Sequence, residues 1–351
     1  MNKKDKQVIV IGGGIAGMEA ASYLSAMGYI VTIVEINDKL GGHLLKWERL
    51  FPTNRLGKEV LAFLGQGVEN NVKVMTNSEV TKIIKEGDFF EVTINETIKE
   101  KADAILLTTG YDLFDATRKE EYGYGIYDNV ITSPDLEEMF SSGKEITMKN
   151  GKKPKKIGFV HCVGSRDIKV NNIHCSKVCC VTAVKQATEI KEKLPEAEVF
   201  CFYMDLRMYG RHFENMYKDS QEKFGVNYIR GRLSEACENA DTSILVKVED
   251  TLAGKPLKMS VDLLILLVGF EPSKGTKRIG KMLGIEFSDD GFFKTQDEHT
   301  MTNISNIEGV FLAGTCVGPR TITNTIVDAR AGAAAIASYL SGYDIMNRKS
   351  K

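Results

Sequence analysis

The first thirty-five residues constrain the fold more than any other part of the chain. Residues 8–11 form a continuously apolar run, as expected of a buried parallel strand. A glycine-rich turn over 12–17 follows, then a helical stretch over 18–27 and a strand-like run over 30–34 that ends at Glu35. This order of elements predicts a Rossmann unit that binds a dinucleotide. The acid is expected to bind ribose hydroxyls, and its charge disfavours the 2′-phosphate of NADP.

Each glycine of the turn has its own expected role. Gly12 allows the tight turn, Gly14 lets the backbone approach a pyrophosphate, and Gly17 lets the helix pack closely on the strand. The phosphates are expected at the start of the helix, at Ile15 and Ala16, where amide N–H groups and the helix dipole favour an anion. These five residues are the predicted dinucleotide contacts of the loop.

A second stretch repeats this order in divergent form. A strand is expected over 156–160, a helix over 178–193, and a strand over 198–204 that is followed by an aspartate. The later runs 102–110 and 261–269 are also alike, because each has an aspartate at its second position and a glycine at its end. Two such units in 351 residues predict an α/β fold with two Rossmann-like domains.

Composition excludes several other classes of protein. The 46 Lys and Arg residues balance 47 Asp and Glu residues, whereas a nucleic-acid-binding protein needs an excess of positive charge. The first seven residues are polar and charged, unlike a secretory signal, and the apolar run over 261–270 contains an aspartate and is too short to span a bilayer. We therefore expect a cytoplasmic protein without a membrane span. In that compartment cysteines more often bind metals or react than form disulfides.

The carboxy-terminal region resembles the closing strand and helix of flavoproteins with two dinucleotide-binding domains, the thioredoxin-reductase-like group of pyridine-nucleotide-disulfide oxidoreductases. It has a strand-like run over 309–315 and a helical stretch over 322–340. In that group the chain returns to complete the first domain, so the resemblance implies a split FAD domain around an inserted degenerate Rossmann domain. The expected boundaries are 1–145 and 285–351 for the FAD domain and 155–280 for the inserted domain, with a polar linker over 141–155.

Three further segments resemble the places where such flavoproteins contact FAD. They are the Gly-Gly step after the acid, a Thr-Thr-Gly turn and the segment after the closing strand. The family commonly has an aspartate where this chain has Thr315, so this residue is expected to use its hydroxyl or leave the role to backbone amides. The positive end of the last helix is expected at the flavin pyrimidine edge. The implied FAD contacts are Gly41, Gly42, His43, Thr109, Gly110, Gly314, Thr315, Thr323, Asn324 and Thr325.

Four of the seven cysteines lie where the second unit should have its phosphate loop: Cys162, Cys175, Cys179 and Cys180. Structural zinc prefers paired C-x₂₋₄-C knuckles, and these four cysteines do not form two such pairs. A redox disulfide favours Cys-x-x-Cys, which the sequence lacks. Buried structural cysteines are a third alternative. An iron–sulfur cluster accepts four cysteines at varied spacing, so the pattern favours a cluster without excluding the alternatives.

The same segment resembles the A-type subunits of heterodisulfide reductases. The resemblance is carried by Cys-Val-Gly-Ser-Arg-Asp at 162–167, Cys-Ser-Lys-Val-Cys-Cys at 175–180, the segment 202–207 and the Gly-Arg pair at 231–232. It implies a [4Fe–4S] cluster held by the four cysteines and lying next to the FAD. The helix dipole, with Arg166, Lys177 and His161, would offset the negative charge of the cluster.

The resemblance implies an oxidoreductase component for electron transfer. FAD would store two electrons and exchange them singly with the cluster, while cysteine-rich and iron–sulfur partner subunits would carry the sulfane, thiol or disulfide chemistry. Long members of the family carry ferredoxin modules with C-x₂-C-x₂-C-x₃-C runs, which this sequence lacks. It therefore resembles the short form found in sulfur oxidisers, and similar proteins are homodimers.

Three other functions remain open from the sequence. They are the flavoprotein subunit of a quinone-interacting oxidoreductase, an NAD(P)H-dependent flavin disulfide reductase and a zinc-binding flavin scaffold. Lys185 is the predicted catalytic residue, because it lies roughly 7.5 Å beyond Cys180 along the helix and would reach the flavin N5 edge. The alternative for this lysine is a solvated position on the helix.

Overall fold

The computed structural model describes residues 5–344 and 349–350. Within them, the strands β1 to β22 are, in chain order, Gln7–Ile11, Ile30–Val34, Arg49–Leu50, Arg55–Leu56, Lys73–Met75, Val80–Glu86, Phe89–Ile94, Ile98–Ala102, Ala104–Leu107, Tyr111–Leu113, Val130–Thr132, Lys156–Val163, Glu198–Tyr203, Asn227–Arg230, Leu233–Glu238, Ile244–Asp250, Lys255–Val261, Leu263–Val268, Phe270–Pro272, Val310–Leu312, Tyr343–Asp344 and Lys349–Ser350. The helices α1 to α7 are Ile15–Ala26, Gly57–Val68, Ser133–Ser141, Cys179–Lys193, Phe213–Glu222, Lys274–Leu283 and Ile322–Leu340.

The chain folds into two units. Within the described residues, the first unit comprises the chain up to Leu45, Lys58–Asp112 and the chain from Glu271 onward, and the second comprises Lys46–Gly57 and Leu113–Phe270. These boundaries differ from the predicted ones because β11 pairs with β18 and so brings residues before position 145 into the second sheet. The stretch 141–155, predicted as a linker, consequently lies inside the second unit.

The first unit contains a five-stranded parallel sheet in the order β20-β9-β1-β2-β5. The middle strands β1 and β9 are almost wholly apolar and buried, as expected where both faces of a parallel sheet are covered. A separate antiparallel meander, β6-β7-β8, packs its apolar residues into the same core. The carboxyl ends of the parallel strands are where ligands of such sheets bind.

The second unit has the same plan. Its parallel sheet has the order β11-β18-β12-β13-β14, and its antiparallel meander is β15-β16-β17. The aspartate shared by the two repeated runs has the same role in both copies. Asp103 accepts the Gln7 N–H at 2.8 Å, and Asp262 accepts the N–H groups of Lys155 and Lys156 at 2.6 and 2.9 Å. Asp103 therefore ties β9 to the start of β1, and Asp262 ties β18 to the start of β12.

Candidate functional site

In the glycine-rich loop of the first unit, Gly12 and Gly17 are needed for close packing, whereas Gly14 faces open space. A Cβ atom on Gly12, whose φ is +110°, would lie 2.4 Å from the Thr108 carbonyl oxygen, and one on Gly17 would lie 1.9 Å from the Gly12 carbonyl oxygen. A Cβ on Gly14 would meet no atom within 4 Å. Gly12 and Gly17 thus allow close packing, and the approach of a pyrophosphate to the open space beside Gly14 stays a prediction.

The start of α1 is shaped to receive an anion. Gly14 is the N-cap and provides no side-chain hydrogen bond, and the first turn contains no acidic residue. The amide groups of that turn are therefore available to a phosphate. The Gly-Gly step lies against the loop, because Gly41 N–H donates to the Gly13 carbonyl at 2.8 Å and a Cβ on Gly42 would be 3.3 Å from Gly14 Cα.

Glu35 has a structural role that the sequence did not indicate. Its side chain is buried, with Oε2 accepting the Gly13 N–H at 2.6 Å and Oε1 accepting the Asn37 N–H at 2.8 Å. The carboxylate therefore holds the glycine loop against the end of β2. Oε1 also accepts the Asn37 side-chain amide at 2.5 Å, so only Oε2 keeps a second lone pair for a ligand, and ribose binding by Glu35 stays a prediction.

The remaining predicted FAD segments of the first unit come together at the same loop. A Cβ on Gly314, whose φ is +81°, would lie 2.7 Å from Ala16 Cβ, and one on Gly110 would lie 3.8 Å from Thr315 Oγ1. The hydroxyl of Thr109 forms a 2.6 Å hydrogen bond with that of Thr276. Two segments far apart in sequence thus flank the start of α1.

The start of α7 and His43 complete the predicted contacts. Thr321 caps the helix by accepting the Asn324 N–H at 3.2 Å, Thr323 and Asn324 are exposed, and Thr325 is buried. The ring of His43 stacks on Tyr111 with a centroid distance of 4.2 Å, and its Nε2 lies 2.9 Å from the Tyr111 carbonyl oxygen. The assignment of these residues to FAD stays a prediction.

The cysteine segment of the second unit follows an irregular strand end. The pairing of β12 with β18 shifts register between Val160 and Val163, and Cys162 has a φ of +59°. Arg166 and Lys177 also have positive φ, at +53° and +67°. Residues other than glycine rarely adopt a positive φ, and those that do are concentrated at binding sites. The register shift changes the direction of the side chains at this end of the strand.

Three of the four predicted cluster ligands are buried and Cys175 is partly exposed. Cys179 and Cys180 are the first two residues of α4, and the Cys175 sulfur accepts the Lys177 N–H at 3.3 Å. In the part of the chain that the structure describes, no three His, Cys, Asp or Glu side chains converge closely enough to hold a single metal ion. The thiolates of a four-iron cluster bind different iron atoms and need not converge on one point.

The four cysteine thiols form a set of ligands that suits positively charged iron. Burial, together with the charges of Cys180 and Cys175, raises the pKa of the Cys162 thiol to about 11, although Arg166 opposes the shift. Burial likewise raises the pKa of Cys179 well above its ordinary value, and the other three cysteines add to this effect. The four sulfurs thus lie within electrostatic range of one another. Because metal ligands must be thiolates, iron between them would relieve their mutual repulsion.

Two side chains beside the cysteines have unsatisfied nitrogen atoms. Arg166 Nη2 donates to Asp205 at 2.8 Å, whereas its Nη1 is buried without a hydrogen-bond partner. Both ring nitrogens of His161 are also buried without a partner, and burial lowers the pKa of this ring to about 4. Burial therefore favours the neutral form of His161 at pH 7, and its role in offsetting the charge of a cluster stays a prediction. Arg166 keeps that predicted role.

The chain matches the family model described as pyridine nucleotide-disulphide oxidoreductase over residues 1–131 and 181–333. The chain belongs to this family. The family model leaves out the residues between these two ranges, which include Cys162, Cys175, Cys179 and Cys180. The cysteine segment is therefore a feature that the general family model does not describe.

Two curated relatives from methanogens confirm the predicted resemblance. The chain is 34% identical to the iron-sulfur A subunit of the CoB–CoM heterodisulfide reductase of Methanocaldococcus jannaschii, over 95% of this chain and 64% of the relative. It is 32% identical to the A subunit of the H(2)/formate:CoB-CoM heterodisulfide,ferredoxin reductase of Methanococcus maripaludis, over 96% of this chain and 64% of that protein. The chain thus spans less than two thirds of these relatives. The first alignment runs over 420 positions, so the matched region of that relative contains segments with no counterpart here.

Solved structures confirm the predicted fold. Thioredoxin reductase from T. acidophilum has a TM-score of 0.65 at 17% identity, and that from Lactococcus lactis has 0.66 at 18%; each covers 95% of this chain and 99% of its own. The α/β fold with two Rossmann-like domains is therefore established. Among the described residues, no helix is both long and apolar enough to cross a membrane.

Lys185, the predicted catalytic residue, lies in a buried network of the second unit. Its Nζ atom is 2.6 Å from Glu137 Oε1 and 3.1 Å from Glu189 Oε2, and its side chain is 1% exposed. The ring of Trp47 lies 5.8 Å from the same Nζ, and Arg49 Nε is 3.9 Å from Glu189 Oε1. The lysine is therefore not a solvated helix residue, and its charge is already neutralised by carboxylates of its own unit.

The network makes stability depend on pH. Burial, reinforced by Glu137, raises the pKa of Glu189 from 4.5 to about 7 although Lys185 opposes the shift. The folded state then binds a proton that the unfolded state releases, so stability falls as pH rises from about 4.5 through 7. We expect Glu189→Gln to be as stable as the parent near pH 4.5 and more stable by about 3 kcal/mol at pH 8. Denaturant unfolding at both pH values measures this difference.

The matched control for this prediction is Glu192→Gln, one turn further along α4. Glu192 is exposed and pairs with Arg49 at 2.9 Å. A stability gain at pH 8 that is equal in both variants would contradict the assignment of the effect to the buried carboxyl.

Proposed function

We propose that this chain is the FAD- and [4Fe–4S]-containing electron-transfer subunit of a heterodisulfide-reductase-like complex. The observation that carries the proposal is the cysteine segment, which stands where a Rossmann unit has its phosphate loop and which the family model leaves unmatched. When bound, FAD exchanges electrons singly or in pairs and the cluster exchanges them one at a time. The protein contributes the binding, the electrostatics and the exclusion of water.

In the first unit, the start of α1 would hold the FAD pyrophosphate. The amides of Ile15 and Ala16 lie beyond an N-cap that offers no side chain of its own. Glu35 fixes the preceding loop through the Gly13 N–H, and Gly14 leaves the approach open. The uncapped amides would then donate hydrogen bonds to the phosphate oxygens at a helix end of positive potential.

In the second unit, Cys162, Cys175, Cys179 and Cys180 would be the iron ligands. The N–H of Lys177 already donates to the Cys175 sulfur, and hydrogen bonds to ligand sulfurs are among the factors that set cluster potentials. The guanidinium of Arg166 adds a positive charge beside the Cys162 thiol. Lys185, on the helix that begins with the last two cysteines, stays the proposed catalytic residue at the flavin N5 edge, with Glu137 and Glu189 holding its ammonium in place.

Disulfide chemistry is assigned to partners. The sequence contains no Cys-x-x-Cys pair, so no dithiol of this spacing can reduce a disulfide. Cysteine-rich and iron–sulfur subunits are the proposed partners of a homodimer of this chain, and oxidation or reduction of sulfane, thiol or disulfide compounds is the proposed process. The form found in sulfur oxidisers is the proposed counterpart, with a quinone-interacting oxidoreductase as the alternative.

Replacing Cys162 tests the cluster directly. Protein purified without oxygen is expected to contain FAD and about four iron and four sulfide per chain. Cys162→Ser is expected to lose most of the iron, sulfide and visible cluster absorption while it keeps FAD, because the proposed FAD residues and the four cysteines belong to different compact units. Metal and sulfide analysis with flavin absorption measures both groups in one sample.

Cys237→Ser is the control, since Cys237 lies in β15, outside the cysteine segment, and is only partly buried. It should retain full iron and sulfide content. If the parent protein contained zinc and no iron while its cysteines were intact, this result would contradict the cluster proposal.

The family match also supports a second candidate, an NAD(P)H-dependent flavin disulfide reductase. Its second unit would bind the nicotinamide nucleotide at the end of β12. That strand is followed by Gly-Ser-Arg-Asp rather than a G-x-G-x-x-G turn. Fast bleaching of the flavin by NADH in the isolated protein would favour this candidate, and no bleaching within minutes would favour electron delivery through the cysteine segment.

A further inference from the structure

A cavity of about 480 Å³ opens in the second unit beside the cysteine segment. Its size lies within the range of about 300–1,000 Å³ that is typical of small-molecule sites. Part of its wall is the loop that joins Cys162 to Cys175, which places the cavity next to the predicted cluster ligands. The charged side chains of the lining are Lys119, Glu121, Arg166, Asp167, Lys169 and Arg232.

The charges of this lining do not balance. It has four cationic side chains and two carboxylates, which leaves two positive charges. Burial opposes the charge of Lys119, but hydrogen bonds from its ammonium to Asp167 and Glu121 raise its pKa above the ordinary value. Lys119 Nζ lies 2.7 Å from Asp167 and 2.6 Å from Glu121, so both carboxylates are already engaged by this lysine. Two positive charges in a concave site attract an anion.

The two arginines are held in place and keep donors to spare. Arg232 Nη2 donates to Asp167 at 2.5 Å, and Arg166 Nη2 donates to Asp205 at 2.8 Å. A guanidinium has five N–H donors, so Arg232 keeps donors beyond the one that Asp167 accepts. An arginine anchored by a carboxylate behind it is oriented in advance for a bidentate contact with a planar or tetrahedral anion.

The rest of the lining is apolar or aromatic. Tyr122, Leu233 and Ile168 contribute to it, and Ile168 is 85% exposed. Burial of this exposed isoleucine side chain by the carbon skeleton of a ligand would be favourable, because it removes apolar surface from water. The cavity therefore combines a cationic wall with a smaller apolar one, which suits an anionic group attached to a short carbon chain.

We propose that this cavity binds a small organic dianion, either a phosphate ester or a short dicarboxylate. The net charge of the lining, the anchored guanidinium groups and the apolar wall together define this ligand class. The ligand would contact Arg166, Lys169 and Arg232, two of which lie in the loop between the first two predicted cluster cysteines. The inference stands apart from the proposed function, because binding requires no electron transfer.

Calorimetry on the purified protein, with its FAD bound and at low ionic strength, tests the proposal. The probes are glycerol phosphate and succinate, one for each source of the dianion, and bound FAD keeps the phosphate probe away from the glycine loop of the first unit. One of the two probes is expected to bind at a single site and to weaken with added NaCl. The probe that binds identifies the ligand class.

Two variants and a matched control locate the site. Arg232→Gln and Lys169→Gln are each expected to raise the dissociation constant at least tenfold. Arg230→Gln is the control, because Arg230 lies in β14 two residues before Arg232, pairs with Asp205 at 3.6 Å and does not line the cavity. It is expected to change the constant less than twofold.

Lys169 is exposed, so its replacement leaves folding intact and keeps the test decisive if Arg232→Gln is unstable. Absence of binding by both probes at millimolar concentration would overturn the proposal. Binding that is unchanged in both variants, or lost equally in Arg230→Gln, would overturn it as well, because the probe would then bind elsewhere.

Discussion

Replacing Lys185 by methionine is expected to lower the free energy of unfolding of the second unit by about 3–5 kcal/mol, because it leaves uncompensated charge in the interior. The ammonium lies within 3.1 Å of both Glu137 and Glu189, and the side chains of all three residues are no more than 4% exposed. Methionine fills a similar volume, so the loss does not come from a cavity: Glu137 is left without its cation, and Glu189, whose pKa Lys185 lowers, takes up a proton. Removal of one partner of a buried ion pair costs more than the pair contributes, since the remaining charge stays desolvated.

Trp47 is the reporter for this measurement. It is the only tryptophan of the chain, it belongs to the second unit, and its ring is 5.8 Å from the lysine ammonium. Its fluorescence during urea unfolding therefore follows the second unit and avoids the assumption that a two-unit chain unfolds in one step. The midpoint and slope give the free energy.

The same helix provides the control and a partial rescue. Lys193→Met removes an exposed lysine near the end of α4 and is expected to change stability by less than about 0.5 kcal/mol. Adding Glu189→Gln to Lys185→Met is expected to recover part of the loss, because without the lysine Glu189 would keep only its ion pair with Arg49, at 3.9 Å. Equal stability of Lys185→Met and the parent would show that the buried carboxylates need no cation.

Features that depend on local pattern could be predicted from the sequence. The buried parallel strands are continuous apolar runs, and the glycine turn directly follows the first of them. The predicted bounds of β2 and α7 agree with those of the structure. The repeat was also visible, since Asp103 and Asp262 hold equivalent positions in the two units. Such features have a period or a spacing that chain geometry imposes.

Features that depend on which segments pack against each other could not be predicted. Lys185 has the spacing of a helix residue beyond the cysteines, but its partner Glu137 lies 48 positions earlier, on α3. The segment Lys46–Gly57 interrupts the first unit and belongs to the second, and no composition change marks it. Glu35 was recognised as an acid at the right distance from the glycines, but its contact with the Gly13 N–H depends on the loop conformation. Sequence spacing gives distance along one element and does not give the neighbour across the core.

Gly14→Ala and Gly17→Ala are expected to separate cofactor binding from folding in the first unit. A Cβ at position 14 meets no atom within 4 Å, and the φ of −73° at this N-cap suits alanine. The free energy of unfolding of FAD-free Gly14→Ala is therefore expected to be within about 1 kcal/mol of that of the FAD-free parent. The same methyl group stands where the pyrophosphate approaches the backbone, so the affinity for FAD is expected to fall at least about a hundredfold, which is some 2.7 kcal/mol.

Gly17→Ala is expected to affect the fold first. Its Cβ would lie 1.9 Å from the Gly12 carbonyl oxygen, so α1 must move away from the end of β1. Overpacking of this kind costs about 1–3 kcal/mol or more, and FAD is lost because the loop moves with the helix. Gly65→Ala, in the middle of α2 where a Cβ meets nothing within 4 Å, is the control and should gain stability slightly. Unfolding of the FAD-free proteins and titration with FAD distinguish the two effects. If Gly14→Ala bound FAD as tightly as the parent, the pyrophosphate would not lie at this glycine.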